Sequence, residues 1–251
     1  MASQASGVGD QGGVKSPLPS MVPVSVPGAT GQSAGLVTDR IIAGDCVTTL
    51  KNMPAASVDL IVTDPPYLVR YRARDGRSVP NDDNALWLAP AFAEMSRVLK
   101  NGRFCVSFYG WGQTDRFFSA WRAAGLRPVG HFVFAKSYHS QARFLKYRHE
   151  CAYLLAKGEP EPPGLTLPDV LDWRYSGDAL HPTQKPLLAI LPLVLAYSRP
   201  GDVVLDPFAG SGTTALAAKL LNRRYVGIEL DPQYARAAEE RLRKCDFGEG
   251  R

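Results

Sequence analysis

The chain has 251 residues, 45% of them hydrophobic and 21% charged, which suits one α/β domain with a full core. Its formal net charge of +5 and pI of about 9.0 suit a polyanionic partner without proving one. No apolar run reaches the length of a membrane span, and the amino terminus lacks the pattern of a secretory signal. The cysteines have no paired spacing, so neither a zinc site nor disulfides are predicted and a reducing cytoplasm fits. They are Cys46, Cys105, Cys151 and Cys245.

Residues 1–36 differ in composition from the rest of the chain. They are mainly Gly, Ser, Pro, Val, Ala and Gln with few charges, which predicts a disordered tail. A single domain over residues 37–251 is expected to follow. It begins with a short strand that ends at Gly44-Asp45, and a short helix near residues 47–52 leads to a buried strand that starts at Val58.

Farther along, hydrophobic periodicity predicts alternating helices and strands, and therefore βαβ units in a parallel sheet. Lys100-Asn101-Gly102 is predicted to cap a helix. Residues 135–148 are interpreted as a polar stretch between two strands, and residues 159–181 are predicted to be irregular. The predicted helices cover residues 85–99, 113–124, 186–198, 215–221 and 232–244. The predicted strands cover residues 103–108, 126–134, 149–156, 202–205 and 224–230.

The buried strand ends in Asp64-Pro65-Pro66-Tyr67. Proline has a fixed φ and no N–H, so the strand must stop and the turn is stiff. Ligands bind at the carboxyl ends of parallel strands in open α/β sheets. The carboxylate, the proline carbonyls and the ring can accept hydrogen bonds from an amine and stack on a planar ring beside it. The alternative is an ordinary strand-ending turn with an exposed acid.

A second stretch, residues 206–214, joins a strand to a helix through Gly210 and Gly212. Such a loop lets the backbone approach a ligand. No Lys follows Gly212, which excludes a Walker loop, and the third glycine of the dinucleotide fingerprint is missing. Glu229 ends the next strand, where an acid can accept hydrogen bonds from both ribose hydroxyls or stabilise the following helix. A nucleoside cofactor without phosphates, such as S-adenosylmethionine, is therefore predicted.

Three motifs together resemble the amino-group DNA methyltransferases, which methylate adenine N6 or cytosine N4. The resemblance covers residues 39–244, and its motif order is similar to that of the permuted β class. It implies an α/β, Rossmann-like S-adenosylmethionine-dependent methyltransferase fold, with a mostly parallel sheet and helices on both faces. The motifs are Asp64-Pro65-Pro66-Tyr67, His181-Pro182-Thr183-Gln184-Lys185-Pro186 and Asp206-Pro207-Phe208-Ala209-Gly210-Ser211-Gly212-Thr213-Thr214.

The resemblance implies catalytic roles for Asp64, Pro65, Pro66 and Tyr67. Asp64 and the Pro65 carbonyl would accept both N–H groups of the target amine and direct its lone pair at the methyl sulfonium, mainly a positioning effect. Tyr67 would stack on a base flipped out of the duplex. Asp at the first motif position is associated in the family with adenine, so adenine N6 is expected. Cytosine N4, RNA methylation and a non-catalytic DNA-binding relative are the alternatives.

The resemblance also implies a cofactor site. Glu229 would hold the ribose of S-adenosylmethionine, and Asp45 and Cys46 would lie near its adenine. Lys185 would pair with the methionine carboxylate or stay in solvent, and Thr213 would contact the ligand or cap a helix. The full predicted set is Asp45, Cys46, Asp64, Thr183, Gln184, Lys185, Asp206, Phe208, Ala209, Gly210, Ser211, Gly212, Thr213, Glu229 and Leu230.

Two basic clusters are predicted to contact DNA phosphates. One lies in a long polar loop over residues 68–84. The alternative is that this loop is simply solvated and contacts no DNA. The other has interleaved aromatic residues, and the family often has a Lys at Lys136 and a His-Glu pair at His149-Glu150. The predicted DNA-binding residues are Arg70, Arg72, Arg74, Arg77, Lys136, His139, Arg143, Lys146 and Arg148.

The family usually has a sizeable target-recognition segment, whereas this chain has room only for small insertions near residues 68–84, 136–148 and 157–180. This implies a short recognition site, relaxed specificity or help from a second subunit. Double-stranded DNA is the expected partner, a homodimer is left open, and neither a membrane nor a metal is expected. The expected location is the cytoplasm of a prokaryotic cell. An origin in a phage or other mobile element and a role in restriction-modification are both left open.

Overall fold

A computed structural model of the protein describes residues 36–70, 80–141, 144–173 and 184–245. All but the last residue of the predicted disordered tail lies outside the described residues. Within those ranges, no helix is long and apolar enough to cross a membrane.

The described chain forms an eight-stranded sheet in the order β1-β8-β7-β2-β3-β5-β4-β6, with helices on both faces. Of these strands, β5 is the one that runs antiparallel to its neighbours, so the predicted mostly parallel sheet is confirmed. The strands are β1 (Arg40–Ala43), β2 (Val58–Thr63), β3 (Leu99–Phe108), β4 (Leu126–Gln141), β5 (Lys146–Lys157), β6 (Val170–Trp173), β7 (Val203–Asp206) and β8 (Arg224–Glu229). The helices are α1 (Cys46–Lys51), α2 (Leu88–Val98), α3 (Thr114–Ala123), α4 (Leu187–Tyr197), α5 (Thr213–Leu220) and α6 (Pro232–Lys244).

Both faces of the central strand β2 are covered, which explains why its sequence is apolar without alternation. Successive side chains point to opposite faces. Leu60 and Val62 pack with α4, α5 and α6, whereas Ile61 packs with α1, α2 and α3. All six residues of β2 are buried.

The strand order reverses between β2 and β7, and this places the two sequence motifs side by side. Leu60 pairs with Val204, and Ile61 pairs with Leu205, in parallel register. Asp64 and Asp206 therefore reach the same edge of the sheet. A crevice at such a reversal is the usual ligand site of open α/β sheets.

Three local predictions are wrong. Lys100-Asn101-Gly102 does not cap a helix, because β3 already pairs with β2 at Leu99, and Gly102 takes a φ of +70° within an irregular stretch of that pairing. Residues 135–148 are largely strand, because β4 and β5 continue past the helices, where an apolar pattern is not needed. Residues 159–181 include β6, a short edge strand beside β4.

The other predicted helices and strands are present, with ends that differ by a few residues. Pro192 lies inside α4. Gly125 ends the segment after α3 with a φ of +72°, a conformation that glycine adopts without steric cost.

Candidate active site

A cavity of about 420 Å³ opens where the strand order reverses. Ligand pockets of this size are typical for small molecules. One side is formed by the loops after β1, β7 and β8, and the other by the turn after β2, by β4, β5 and β6, and by the segment before α4. We call the first side the glycine wall (Asp45, Cys46, residues 207–213, Glu229 and Leu230) and the second the charged wall (Asp64, Tyr67, Lys136, Glu150, Trp173 and Lys185).

The turn after β2 presents Asp64 and Tyr67 to the cavity. The Tyr67 hydroxyl donates a hydrogen bond to Asp64 Oδ1 over 2.8 Å. Gly110, which follows β3, lies so close that a Cβ there would be 2.7 Å from the carbonyl oxygen of Tyr67. Any side chain at position 110 would therefore displace the turn. Local sequence gives no sign of this role, because the contact joins residues far apart in the chain.

Lys185 occupies the centre of the charged wall. Its Nζ lies 2.6 Å from Asp64 Oδ2, and the Lys185 side chain is only 10% exposed. The ammonium also lies over three aromatic rings, at 5.3 Å from the centroid of Tyr67, 5.1 Å from Phe108 and 5.8 Å from Trp173. The predicted contact of Lys185 with a cofactor carboxylate stays a prediction; in this structure its carboxylate partner is Asp64.

Burial dominates the acid–base behaviour of the turn. It raises the pKa of Asp64 above the ordinary value for Asp, although the Lys185 ammonium and the Tyr67 hydroxyl oppose this shift. Burial and the neighbouring Asp64 raise the pKa of Tyr67 well above its ordinary value. Tyr67 therefore stays a neutral hydrogen-bond donor to Asp64 throughout the neutral range.

Lys136 and Glu150 form an ion pair across the antiparallel strands β4 and β5. The Lys136 side chain is 8% exposed and lies over the rings of Tyr138 and Trp173. Burial raises the pKa of Glu150, but Lys185 and Lys136 outweigh it and leave the pKa below the ordinary value. Lys136 thus lines the cavity instead of lying on an exposed basic face, while its contact with DNA stays a prediction.

The glycine wall is held mainly by backbone hydrogen bonds. Gly210 N and Asp231 N donate to the two carboxylate oxygens of Glu229, over 2.8 and 2.9 Å. Gly212 has a φ of +76°, and a Cβ there would lie 3.0 Å from Ala238 Cβ in α6. These contacts account for the acid at the end of β8 and for the second glycine of the loop.

Asp206 lies between the two walls. Burial raises its pKa to about 7, while the Thr214 hydroxyl and Phe208 N act in the opposite direction by hydrogen bonding. The ring of Phe208 packs edge-on against Trp87 at a centroid distance of 5.0 Å. Asp45, which belongs to the glycine wall, caps α1 by accepting from Thr48 N.

Cys46 is a buried thiol beside Asp45. Burial and the charge of Asp45 raise the pKa of Cys46 to about 12, so it stays protonated. It acts here as a small apolar group of the wall and not as a nucleophile.

Thr213 connects the glycine wall to Lys185. Its hydroxyl donates to the backbone carbonyl of Lys185 over 3.2 Å, and Arg241 donates to the same hydroxyl over 3.1 Å. Gly212 occupies the cap position of α5 without a side-chain hydrogen bond. Of the two roles left open for Thr213, helix capping is therefore not the one observed.

The structure brings most of the predicted site residues together. Asp64, Pro65, Pro66 and Tyr67 line the cavity with nearly all of the predicted cofactor set that lies in described parts of the chain. His139, Lys146 and Arg148 are exposed on β4 and β5. Arg70 lies where Asp82 accepts from the backbone of Val69 and Arg70. Outside the described residues lie Arg72, Arg74, Arg77, Arg143 and Thr183, together with His181. Sequence reasoning missed Phe108, Gly110, Trp173 and Asp82 as parts of the cavity or its supports.

Across the described part of the chain, no group of three or more His, Cys, Asp or Glu side chains is arranged to hold a metal ion.

A family model described as DNA methylase, of the N6/N4 type, matches residues 58–180 and 166–240. The chain belongs to this family. The family's fold is Rossmann-like, and its members use S-adenosylmethionine and act on DNA, so the predicted family, fold and cofactor are confirmed.

Individual relatives agree with this assignment. The chain is 54% identical over 203 residues to the candidate methylase YubD of Escherichia coli strain K12, covering 81% of this chain and 89% of YubD. It is 30% identical over 250 residues to the type II methyltransferase M.BglII of Bacillus subtilis, covering 81% and 69% of the two chains. TTHA0409 of Thermus thermophilus, a candidate DNA modification methylase solved with S-adenosyl-L-methionine, is 28% identical with a TM-score of 0.65, covering 82% and 93%.

The residues of the glycine wall fit S-adenosylmethionine. The carboxylate of Glu229 uses one lone pair of each oxygen for a backbone N–H, which leaves acceptor capacity for ribose hydroxyls. Residues 206–214 carry no Lys or Arg, as suits a ligand without phosphates. Glu229, the backbone of the glycine loop and Asp45 are the groups that would hold the nucleoside part.

Proposed function

We propose that this DNA methylase transfers the methyl group of S-adenosylmethionine to the N6 amino group of adenine in double-stranded DNA. The observation that carries the proposal is the position of Asp64 and Tyr67. Their turn opens into the same cavity as the glycine loop and Glu229, so a target amine and a nucleoside cofactor can meet there. When bound, S-adenosylmethionine supplies an electrophilic methyl group.

The residues of the turn bind and orient the target. The Asp64 carboxylate and the Pro65 carbonyl accept the two N–H groups of the amine, which favours a tetrahedral nitrogen with its lone pair exposed. Pro65 and Pro66 keep this arrangement rigid, so little ordering is needed when the base arrives. Asp64 is also the group placed to hold the proton that the amine loses.

The ring of Tyr67 is the stacking surface for the base. The amine is paired inside a duplex, so the base must leave the stack before Asp64 can reach it. The Tyr67 hydroxyl donates to Asp64, and the absence of a side chain at Gly110 leaves room for the Tyr67 backbone. Tyr67 therefore fixes the plane of the base, and Asp64 fixes the position of its amine.

Adenine is preferred over cytosine because Asp stands first in the motif, an association within the family. Cytosine N4 is the second candidate, because both bases present an amine with similar geometry and the family contains both activities. The exposed cations His139, Lys146 and Arg148 would contact phosphates near the cavity. A homodimer stays a prediction.

The test incubates purified protein with unmethylated genomic DNA and S-adenosylmethionine, then quantifies modified nucleosides by mass spectrometry. N6-methyladenine is expected, and Asp64→Ala should lower its yield by at least about 100-fold, as is typical when a group that stabilises the transition state is removed. Asp115→Ala, the loss of an exposed acid in α3, is the matched control and should be fully active. Detection of N4-methylcytosine would show that cytosine, and not adenine, is the target base. If no modified base is detected, the proposal is contradicted.

A further inference from the structure

Lys136 and Glu150 lie in the charged wall, yet the proposed reaction assigns a role to neither. They form an ion pair that is largely removed from solvent, with side chains 8% and 23% exposed. Such a pair contributes little net stability, because desolvation of the two charges offsets most of their attraction. Its presence beside the cavity therefore calls for a reason other than folding.

Lys185 links this pair to Asp64. Its ammonium donates to Asp64 Oδ2 over 2.6 Å, and its charge also acts on Glu150, whose pKa Lys185 and Lys136 both lower. Charges of alternating sign thus run from Lys136 through Glu150 and Lys185 to Asp64, and Lys185 is attracted by two carboxylates.

The surroundings of Lys185 allow it to change partners. The rings of Tyr67, Phe108 and Trp173 stabilise its ammonium at 5.1 to 5.8 Å without directional hydrogen bonds. A shift of the ammonium within this aromatic enclosure would keep much of the cation–π attraction. The backbone of Lys185 stays anchored, because Thr213 donates to its carbonyl.

The proposed reaction creates a competition at Asp64. Tyr67 and Lys185 each donate to one carboxylate oxygen; a lone pair remains on each oxygen for the target amine, but the Lys185 ammonium lowers the affinity of Asp64 for the proton that the amine loses. We propose that Glu150, held in place by Lys136, shares Lys185 with Asp64 and takes over its ammonium when the target amine binds Asp64. Lys136 and Glu150 are then positioning residues for methyl transfer. The inference rests on the proposed function only in taking Asp64 as the acceptor of the target amine.

Two substitutions that break the Lys136–Glu150 ion pair should shift the pKa of Asp64 in opposite directions. Asp64 faces Tyr67 and Lys185 directly, Glu150 from β5 and Asp206 from β7. Glu150→Gln removes a negative neighbour and leaves Lys185 to Asp64 alone, which lowers the pKa of Asp64. Lys136→Met leaves Glu150 unneutralised, draws Lys185 away and raises that pKa. Each shift should be about 0.5 to 1 unit, since each change removes one charge from a partly buried site.

The experiment follows the Asp64 carboxyl carbon by 13C NMR in protein labelled at Asp, without DNA or cofactor, with the signal assigned by Asp64→Asn. Glu159→Gln is the matched control, because Glu159 is 90% exposed and pairs with Arg127 outside the cavity. It should leave the pKa of Asp64 unchanged. Glu150→Asp and Lys136→Arg keep both charges and should restore the wild-type pKa, which a role in packing alone does not predict.

A kinetic measurement then tests the exchange itself. Glu150→Gln should lower kcat/KM for DNA by about 10-fold, because Lys185 no longer has a second partner, while S-adenosylmethionine binding by calorimetry stays unchanged. If both neutral variants move the pKa of Asp64 in the same direction, or no more than Glu159→Gln does, the inference is overturned whatever the activity. If the two variants shift the pKa of Asp64 in opposite directions but the protein modifies no DNA, the sharing of Lys185 is supported. DNA as the substrate is then contradicted.

Discussion

The glycine wall and the charged wall bound one cavity but are held together differently. Backbone groups form the first: Gly210 and Asp231 donate to Glu229, and the loop runs directly from β7 into α5. Side chains form the second, and they come from the turn after β2, from β4, β5 and β6, and from the segment before α4. A wall of backbone bonds is fixed before any ligand arrives. A wall of shared charges can exchange partners, which suits the side that must accept a target group.

After Asp64→Ala, Tyr67→Ala should have the largest effect on activity among the substitutions that affect one wall and leave the other unchanged. Loss of the ring removes the stacking surface for the target base and should lower kcat/KM for DNA by roughly 10- to 100-fold, from about 1–3 kcal/mol of stacking. S-adenosylmethionine affinity should hardly change, because the glycine wall is built separately. Steady-state methylation kinetics and calorimetry measure the two quantities.

Tyr67→Phe is the matched control for that substitution. It keeps the ring and removes the hydroxyl that donates to Asp64. Activity should fall much less than with Ala. An equal loss in both variants would mean that the hydroxyl, and not the ring, is what the charged wall needs from Tyr67.

Glu229→Gln tests the other wall. The amide keeps one acceptor oxygen but loses the charge, and hydrogen bonds to charged groups contribute about 1.5–3 kcal/mol, so the Kd for S-adenosylmethionine should rise about 10-fold or more. Calorimetry without DNA measures this directly. Asp231→Asn, a change of the adjacent acid that caps α6, should leave the Kd near the wild-type value. Similar losses in both variants would argue against a specific ribose contact at Glu229.

The difference between the locally encoded glycine wall and the charged wall, which is assembled from distant parts of the chain, also explains how much of the site could be predicted from sequence. The glycine loop, Glu229 and the turn at Asp64 follow from short motifs at the ends of apolar strands, because local sequence sets those conformations. The Lys185–Asp64 contact joins residues far apart in the chain. So does the approach of Gly110 to Tyr67. No local pattern encodes such contacts.

The fold shows the same limit. The helices and strands over a buried core have clear hydrophobic periods and were predictable. The extension of β4 and β5 beyond the core was not, because polar strands paired to each other carry no such period. Lys136 was therefore expected on an exposed basic face, whereas the paired strands carry it into the cavity wall.

Asp206, between the walls, should give the protein a pH-dependent stability. Its pKa is raised from the ordinary 3.8 to about 7, so the folded state prefers the protonated acid. The associated stability is complete below about pH 4 and is lost as the pH rises through 7. Asp206→Asn should reduce the difference in unfolding free energy between pH 5 and pH 8 by about 1–3 kcal/mol.

Urea unfolding at both pH values measures that difference, with Asp115→Asn as the exposed control. Asn can still accept from Phe208 N through its side-chain oxygen, so the loop geometry is kept. A difference between pH 5 and pH 8 that is unchanged by Asp206→Asn would show that Asp206 is ionised in the fold at both pH values.

The smallest effect should come from the exposed cations of β5, outside both walls. Replacing Lys146 and Arg148 with Gln leaves two phosphates without a neutralising cation, so DNA affinity should fall a few-fold at low salt. The slope of log K against log salt should decrease by about 0.9 for each phosphate that is no longer neutralised. Fluorescence anisotropy over a salt series measures both. The matched control replaces Arg243 and Lys244 in α6 and changes the net charge equally. If the control alters the slope just as much, only net charge matters, and β5 does not position the duplex over the charged wall.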